Sequence, residues 1–420
     1  MRYQDLESWL GWQETLHPRL IELGLDRIQQ VFQRLYPKPP PFTVITIGGT
    51  NGKGSSVALL ESIFVSAGYQ VAAYTSPHLL RYNERIRLNL HEAEDAQICQ
   101  AFQRIDEARG DISLTYFEFG TLAALDIFYR QTVDIALLEV GLGGRLDAVN
   151  IIDADIALIC SIGLDHTDWL GDDRESIARE KAGIMRPGKP VICSDADIPT
   201  TIFSEADRLD SKLLCLGRDF TYRRQDTSWQ WSGRNGEVHN FPLPALPGEH
   251  QLQNAAGVMM VLECLAESYP VSCQVVQQSL QGMHIPGRQQ IISGKPDWIF
   301  DVAHNRQSAE ALAALLRTRK VSGRTHAIVG MLKDKDMAAV LQPMLPYVQT
   351  WHCIDLTVPR GASAGQLQAQ LEKLSVAVDV SIYRDMQQAR AELEKQAKPV
   401  DQVVVFGSFY TVAEGLQRGV

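Results

Sequence analysis

A glycine-rich turn directly after a run of β-branched residues is the feature that most constrains how this chain folds. The segment reads TVITIGGTNGKGSS over residues 43–56. Its first five residues suit a buried central strand, and the residues from Val57 onward predict a helix. The glycines between them permit backbone angles and close approaches that a Cβ would block. The pattern therefore predicts a strand, a tight turn and a helix that begins beside Lys53.

The groups in this turn are those expected of a site for the β- and γ-phosphates of ATP. Backbone N–H groups at the start of a helix point at an anion, Lys53 adds a positive charge, and Ser55 or Ser56 offers a hydroxyl to magnesium. The candidates for ATP binding in the turn are Gly49, Thr50, Asn51, Gly52, Lys53, Gly54, Ser55 and Ser56. A plain turn without a ligand is the alternative, but so many glycines carry an entropic cost that a plain turn does not require.

The spacing departs from the common phosphate loop G-x-x-x-x-G-K-[ST]. Ile47 stands where the first glycine belongs, and Gly54 separates the lysine from Ser55. The sequence GTNGKGS therefore points to a particular kind of ATP-binding protein rather than to phosphate loops in general.

Composition and length limit the class of protein. A chain of 420 residues exceeds what one hydrophobic core usually supports, which favours two domains. A net charge of −10 argues against a nucleic-acid partner. The seven cysteines include no C-x-x-C pair and indicate reduced thiols rather than a disulfide or zinc framework. No apolar run approaches the roughly 20 residues of a membrane span. We expect a soluble, cytoplasmic enzyme that acts on small molecules.

Apolar strand-like runs alternate with helical segments along the chain. This alternation predicts an α/β fold with a parallel sheet covered on both faces, and ligands at the carboxyl ends of its strands. Residues 215–247 have a different character and predict a short antiparallel hairpin. From residue 287 a second, smaller α/β sheet begins. The predicted domains are therefore 1–286, which contains the phosphate loop, and 287–420.

Further motifs follow the loop in a fixed order. They are TSPHL at 75, RYNERIR at 81, TYFEFGTLAAL at 115, EVGLGGRLDAVN at 139, DHTDWLG at 165, EKAGI at 180, HQLQNAA at 250, PGR at 286 and DVAHN at 301. With the loop GTNGKGS, they resemble the folate branch of the Mur ligase superfamily over nearly the whole chain. The resemblance implies a P-loop ATPase-like first domain and a smaller Rossmann-like second domain.

The same resemblance implies an activity. The folate branch contains ATP-dependent ligases that add L-glutamate to dihydropteroate and to reduced folates through an acyl phosphate. The substrates would be ATP, L-glutamate, dihydropteroate and reduced folates, and the enzyme would be a monomer. An early segment, GLDRI at 24–28, favours both acceptors over folates alone.

Three side chains that follow strand-like runs are candidate magnesium ligands. Ser76, Glu139 and His166 supply oxygen donors and one imidazole, and Mg²⁺ prefers sites with few protein ligands and several waters. A capping serine, a solvated acid and a core histidine are the alternatives, and the resemblance favours the metal. Asp165 and Asp168 are positioned to orient the imidazole.

Lys181 gains a role only from the resemblance, because a surface salt bridge is the ordinary role for such a lysine. The matching lysine of the superfamily is often carbamylated and then binds a second magnesium ion, so Lys181 joins the candidate metal ligands. A monovalent cation is a further requirement that the family allows.

The resemblance also assigns the acceptor site. Its residues are Gly24, Leu25, Asp26, Arg27, Ile28, Thr115, Tyr116, Phe117, Glu118, Leu146, Asp147 and Ala148 in the first domain, with Ser408 and Tyr410 in the second. Tyr116 and Phe117 offer aromatic faces to a flat heterocycle, and Asp147 or Asp26 could accept hydrogen bonds from pterin N–H groups.

The remaining matches concern ATP and glutamate. Asn254, Arg288 and Asp301 match ATP-binding positions. His304 belongs to the glutamate region and, with Lys53 and Lys181, is a candidate catalytic residue. The family usually reads D-x-A-H-N-P, whereas this chain has Arg306 in place of proline, which predicts a looser turn.

Three other functions remain open from the sequence. A ligase acting on a UDP-sugar peptide usually carries an additional N-terminal domain, for which the position of the phosphate loop leaves little room. A folylpolyglutamate synthase without dihydrofolate synthase activity is a closer alternative. A nucleotide-dependent binding switch would turn over ATP without glutamate.

Overall fold

Two units make up the computed structural model, which describes residues 2–19, 21–375 and 378–417. One unit comprises Met1–Pro244 and Gln251–Met283, and the other comprises Ala245–His250 and His284–Val420. The chain passes from the first unit to the second after Met283, and the sequence placed the domain boundary after residue 286. The short segment Ala245–His250, expected in the first domain, groups with the second unit.

A sheet of eight strands forms the centre of the first unit. Its strands are β1 (Thr43–Gly48), β2 (Val71–Tyr74), β3 (Ile86–Leu88), β4 (His91–Glu92), β5 (Ile135–Glu139), β6 (Ile156–Ile159), β7 (Pro190–Cys193) and β8 (Lys212–Cys215). Their order is β4-β3-β2-β5-β1-β6-β7-β8, and only β3 and β4 run antiparallel to their neighbours. β1 pairs with β5 on one side and β6 on the other, so the expected central strand is confirmed.

Helices cover both faces of this sheet, as the alternating pattern predicted. They are α1 (Leu6–Leu16), α2 (Asp26–Leu35), α3 (Lys53–Ser66), α4 (Asp95–Arg109), α5 (Tyr116–Tyr129), α6 (Thr167–Leu170), α7 (Arg174–Ala182), α8 (Thr200–Leu209), α9 (Glu249–Leu265) and α10 (Cys273–Gly282). Short 3₁₀ helices span Tyr82–Arg85 and Ala148–Ile151. Apolar residues on β1, such as Val44, Ile45 and Ile47, are completely buried, and each contributes about 1.5–3 kcal/mol.

The antiparallel sheet in residues 215–247 has more strands than the sequence indicated. A hairpin was expected over residues 215–247, and the structure has a sheet of three strands, β9 (Thr221–Arg224), β10 (Ser228–Ser232) and β11 (Val238–Pro242). The central strand alternates buried tryptophans with polar residues, and Trp229 is completely buried. β9 is mostly exposed, so its residues lack the apolar alternation by which a strand is recognised.

The second unit has its own mostly parallel sheet. Its strands are β12 (Gln290–Ile292), β13 (Asp297–Phe300), β14 (Thr325–Val329), β15 (Thr350–Ile354), β16 (Asp379–Tyr383) and β17 (Gln402–Phe406), in the order β12-β13-β17-β14-β15-β16. Its helices are α11 (Arg306–Thr318), α12 (Met337–Leu341), α13 (Ala364–Leu374), α14 (Met386–Gln396) and α15 (Phe409–Gln417), with a 3₁₀ helix at Gln342–Met344. Only β12 is antiparallel to its neighbour. The prediction of a second α/β sheet is confirmed.

Two further expectations concern the whole described chain. All seven cysteines lie in described segments, and none forms a disulfide. Among the described helices, none combines the length and apolar character needed to cross a membrane.

Candidate active site

The predicted phosphate loop joins β1 to α3. Gly49 and Gly52 adopt φ values of 148° and 89°, which favour glycine, and Lys53 is the first residue of α3. The Lys53 amine donates to the carbonyl oxygens of Gly49, at 2.9 Å, and Thr50, at 3.2 Å. The loop therefore wraps around the ammonium group and places it at the N-terminus of a helix, where an anion is stabilised.

The turn after β6 holds this loop in place. Thr50 N–H donates to Ser161 O at 2.6 Å, and the Thr50 hydroxyl donates to Gly163 O at 3.0 Å. Asn51 N–H donates to the Ser161 hydroxyl at 3.0 Å. A Cβ on Gly49 would lie 3.0 Å from Cys160 Cβ, so this glycine is needed for close packing. The sequence motifs did not point to Ser161, because its role depends on the pairing of β1 with β6.

Asn254 reaches the loop from α9. A Cβ on Gly52 would lie only 2.3 Å from Asn254 Oδ1, so the asparagine amide sits directly against the turn. Asn254 therefore lies beside the predicted phosphate loop, and its role in ATP binding stays a prediction. Ser56 is completely buried and its hydroxyl lies 3.3 Å from Cys160 Sγ, which favours Ser55 as the serine that faces magnesium.

Two of the candidate metal ligands meet beside the loop. Glu139 ends β5, is buried, and its Oε2 accepts from Ser76 N–H at 3.1 Å. A Cβ on Gly54 would lie 3.8 Å from Glu139 Oε1, so the carboxylate lies over the first turn of α3. A buried carboxylate next to a serine and a phosphate loop is the oxygen-rich donor set that Mg²⁺ prefers, and these residues fit that ion.

His166 and Lys181 lie on neighbouring elements. His166 precedes α6 with φ 51°, and its Nε2 is 3.9 Å from Asp165 Oδ1, which is longer than a hydrogen bond. The orienting role of Asp165 stays a prediction. Asp168, the other acid predicted to orient it, is exposed in α6. Among the described residues, no three His, Cys, Asp or Glu side chains form a compact metal-binding group. A magnesium site here would rely on Ser76, Lys181, substrate phosphates and water as well.

The buried Lys181 amine has an unusual environment. Burial and, to a smaller extent, the positive charge of Lys53 lower its pKa to about 7, against the opposing effect of Asp165. Lys181 is only 3% exposed, and no described carboxylate lies within ion-pairing distance of it. The amine is therefore partly neutral near pH 7 and lies close to the phosphate loop.

Within the first unit, the segments assigned to the acceptor come together in space. Gly24 N–H donates to Leu146 O at 3.4 Å, and Arg27 donates to Glu118 Oε1 at 3.1 Å. Glu118 also closes a capping box at the start of α5, because its carboxylate accepts from Thr115 N–H. Leu25, Ile28 and Ala148 flank these contacts in the chain, and Ile28 is completely buried.

Aromatic residues form one wall of this region. The Phe117 ring packs so closely on Gly141 that a Cβ there would lie 2.6 Å from Phe117 Cζ. Tyr116 meets Tyr82 edge to face, with ring centroids 5.9 Å apart. Sequence reasoning identified Tyr116 and Phe117 but not Tyr82, which lies on a different motif.

The two candidate pterin-binding acids differ in environment. Asp147 is buried and accepts from Leu142 N–H at 2.7 Å and Val149 N–H at 3.0 Å, so it braces its own loop. Burial raises its pKa to about 6. Asp26 is the exposed first residue of α2.

The candidates in the second unit lie at the carboxyl ends of its own strands. Asp301 follows β13, is buried, and accepts from Gln289 N–H at 2.9 Å and Ala303 N–H at 2.8 Å. Burial raises the pKa of Asp301, and the positive charge of Arg288 opposes this shift. His304 Nδ1 lies 2.8 Å from Val302 O, so this nitrogen carries the proton.

Phe409 is a residue that the sequence did not single out. The Arg288 guanidinium lies 5.6 Å from its ring centroid, and the His304 ring lies 6.2 Å from it. The adjacent Ser408 is buried and caps α15 by accepting from Thr411 N–H at 3.1 Å, and Tyr410 is 47% exposed. The sequence named Ser408 and Tyr410 as acceptor-site candidates, and their role stays a prediction; only the packing distinguishes Phe409 from these neighbours.

Arg306 occupies the first position of α11, where proline is well tolerated. Asn305 before it is extended, with φ −139° and ψ 168°, which suits a residue preceding proline. We expect Arg306→Pro to raise the free energy of unfolding of the second unit by about 0.5 kcal/mol in urea denaturation. Arg306→Ala controls for loss of the exposed ion pair with Glu310. Destabilisation by proline alone would show that this turn cannot adopt the family's conformation.

Comparisons with known proteins agree with this architecture. Residues 47–262 match the Mur ligase middle domain, and residues 287–409 match the Mur ligase glutamate ligase domain. The chain is 45% identical over 413 residues to the dihydrofolate synthase/folylpolyglutamate synthase of Escherichia coli strain K12, covering 98% of this chain and 95% of that one.

Solved structures give the same result. The fold is similar to E. coli FolC in complex with DHPP and ADP, with a TM-score of 0.93 and 44% identity, covering 99% of this chain and 97% of that one. It is also similar to a bifunctional folylpolyglutamate synthase/dihydrofolate synthase with Mn, AMPPNP and L-glutamate bound, with a TM-score of 0.90 and 43% identity, covering 99% and 98%. From its motifs, fold and relatives, the chain belongs to the dihydrofolate synthase/folylpolyglutamate synthase family of Mur ligases.

Proposed function

We propose that this protein is an ATP-dependent ligase that adds L-glutamate to 7,8-dihydropteroate, giving dihydrofolate, and to tetrahydrofolate and its polyglutamates. The observation that carries the proposal lies within the first unit. There the phosphate loop with Lys53 follows β1, and the Glu139–Ser76 pair joins the end of β5 to the segment after β2. Phe117, beside Tyr116 in the aromatic wall, packs on Gly141 just past the end of β5. The 45% identity to a bifunctional relative supports both acceptors rather than folates alone.

The reaction requires activation of a carboxylate. A carboxylate oxygen of the acceptor bonds to the γ-phosphorus of ATP, and the bond to the ADP oxygen breaks, which gives an acyl phosphate. The glutamate amine then bonds to the carbonyl carbon, the bond to phosphate breaks, and the amine loses a proton. Lys53 and the backbone N–H groups of the loop stabilise negative charge on the transferred phosphoryl group.

Ser76, Glu139 and His166 are the proposed protein ligands of magnesium. When bound, the ion neutralises phosphate charge. Glu139 is already fixed by Ser76 N–H, so its carboxylate is oriented before any ligand binds. Asn254, Arg288 and Asp301 are proposed to bind ATP, and His304 is proposed to act in the glutamate region. A monovalent cation remains an expectation from the family.

We also propose that Lys181 is carbamylated. The reaction adds CO₂ to a neutral amine and releases a proton, and the pKa of about 7 makes neutral amine available. Carbamylation would replace repulsion between the Lys181 and Lys53 ammonium groups by attraction, and would provide a carboxylate-like ligand for a second magnesium ion.

Lys181→Ala is expected to lower kcat by about 100-fold because a charged ligand near the phosphates is lost. Acetate or formate should restore part of the activity by filling the space with a carboxylate. ¹³C NMR after incubation with ¹³C-bicarbonate should show a carbamate signal in the wild type and none in the variant. Lys189→Ala removes an exposed lysine and serves as the control. An unmodified wild-type lysine would contradict the proposal.

The function is tested by ATP turnover with product masses. Purified protein with ATP, magnesium and L-glutamate receives dihydropteroate, tetrahydrofolate or no acceptor. Glutamate-dependent mass gain on both acceptors is expected. A mass gain on tetrahydrofolate alone would show that the protein is a folylpolyglutamate synthase without dihydrofolate synthase activity. Consumption of ATP without any glutamate-containing product would refute the proposed ligase activity.

Assembly and cellular location form a separate part of the proposal. We propose a monomer that works in the cytoplasm, where ATP and reduced folates are available. Light scattering at working concentration tests the first point, and cell fractionation tests the second.

A further inference from the structure

Arg85 stands out among the arginines of the first unit. Among the arginines that the structure describes in this unit, only Arg85 and Arg109 are buried, at 8% and 9% exposure. Arg109 forms an ion pair with Asp106 at 2.8 Å. For Arg85, no carboxylate of the described residues lies within ion-pairing distance. A buried cation without a counter-ion is costly, so Arg85 requires an explanation other than stability.

The guanidinium group is held in place by neutral partners. Its Nε donates to His78 Nδ1 at 2.8 Å, and its Cζ lies 5.3 Å from the Tyr82 ring centroid and 5.5 Å from that of Tyr116. Because the guanidinium Nε–H can only donate, the lone pair of His78 Nδ1 accepts this hydrogen bond. Two perpendicular aromatic rings and one imidazole thus orient the arginine without neutralising it.

The position of Arg85 connects two parts of the site. Tyr116 belongs to the aromatic wall of the acceptor region. Arg85 O accepts from Thr75 N–H at 2.9 Å, one residue before Ser76, the candidate metal ligand. The guanidinium therefore lies against the aromatic wall, and the Arg85 backbone is bonded to the segment that carries Ser76.

We propose that Arg85 binds the carboxylate of the acceptor and so selects acceptors that carry one. The inference rests on the proposed function and adds the residue that recognises the reacting end of the substrate. Dihydropteroate has one anionic group, its carboxylate, and a guanidinium group pairs with a carboxylate through two parallel hydrogen bonds. The carboxylate of the bound acceptor would then be the counter-ion of Arg85.

The test compares two ligands in equilibrium binding without ATP, glutamate or magnesium. One ligand is dihydropteroate, and the other is the same pterin with aniline in place of p-aminobenzoate, so that only the carboxylate is missing. Wild type is expected to prefer the acid by about 10- to 150-fold, the range of charge-assisted hydrogen bonds. Arg85→Gln should reduce that preference to about one. Arg85→Lys should keep part of it, because lysine retains the positive charge but cannot form the two parallel hydrogen bonds of a guanidinium group.

Arg87→Gln is the matched control. Arg87 lies two residues away, and its guanidinium is neutralised by Glu61 at 2.8 Å, so the same charge change there should leave the preference intact. Thermal unfolding of each variant shows whether it is folded. If Arg85→Gln weakens both ligands equally, or neither, the inference is wrong although the proposed function stands. If wild type binds neither ligand, the proposed function itself fails.

Discussion

Lys53→Ala is expected to lower kcat for glutamate-dependent ADP formation by about 10³-fold. The lysine is the one side-chain cation that the loop itself carries, and the carbonyl oxygens of Gly49 and Thr50 hold it at the N-terminus of α3. Its removal leaves the loop backbone in place but takes away charge that is needed most when the γ-phosphoryl group is transferred. Steady-state kinetics with dihydropteroate measures the loss.

The control for this prediction is Lys189→Ala. Lys189 is half exposed and pairs with Asp155 at the surface, so its loss should leave kcat unchanged. Lys53→Ala should remain folded, since only two hydrogen bonds to carbonyl groups disappear, worth about 1–3 kcal/mol together. A variant that keeps wild-type kcat would show that the loop does not act on the transferred phosphate.

Glu139→Gln is expected to lower kcat by about 10²–10³-fold and to raise the magnesium concentration needed for activity. Glutamine keeps the shape and can still accept from Ser76 N–H, so the change removes mainly the negative charge. Titration of activity with MgCl₂ and of binding with Mn²⁺ by paramagnetic relaxation measures the effect.

Glu61→Gln is the control for Glu139→Gln, because it neutralises a buried carboxylate that is not a candidate magnesium ligand. Glu61 is 1% exposed, and its Oε2 pairs with Arg87 at 2.8 Å. Its neutralisation should lower the free energy of unfolding without changing the magnesium titration. If Glu139→Gln and Glu61→Gln shift the magnesium dependence equally, Glu139 is not a ligand of the ion.

Much of the candidate site was accessible from the sequence because its parts are local. A phosphate loop needs a strand, glycines and a helix within one short segment, and these appear in residues 43–66 as predicted. Glu139 and Ser76 follow strand-like runs, and the carboxyl ends of parallel strands meet at one edge of a sheet. Their contact at 3.1 Å follows from that rule.

Other features depended on packing between distant segments. Ser161 braces the loop only because β6 pairs beside β1, and Phe409 lies beside Arg288 only because the strand ends of the second unit converge. The three-stranded sheet at residues 221–242 includes a mostly exposed strand, which leaves no apolar alternation to detect. Such features have no local signature, since the partner residues are far apart in the chain.

The amino-acid sequence by itself determined the α/β class, the two-sheet organisation and the phosphate loop, because hydrophobic periodicity and glycine placement act over a few residues. The tertiary structure decided which charges are neutralised. Arg87 and Arg109 find carboxylates while Arg85 does not, and Lys181 is buried near Lys53 with its pKa lowered to about 7. A charge's pairing and solvation depend on every element folded around it, and so cannot be deduced from its neighbours in the chain.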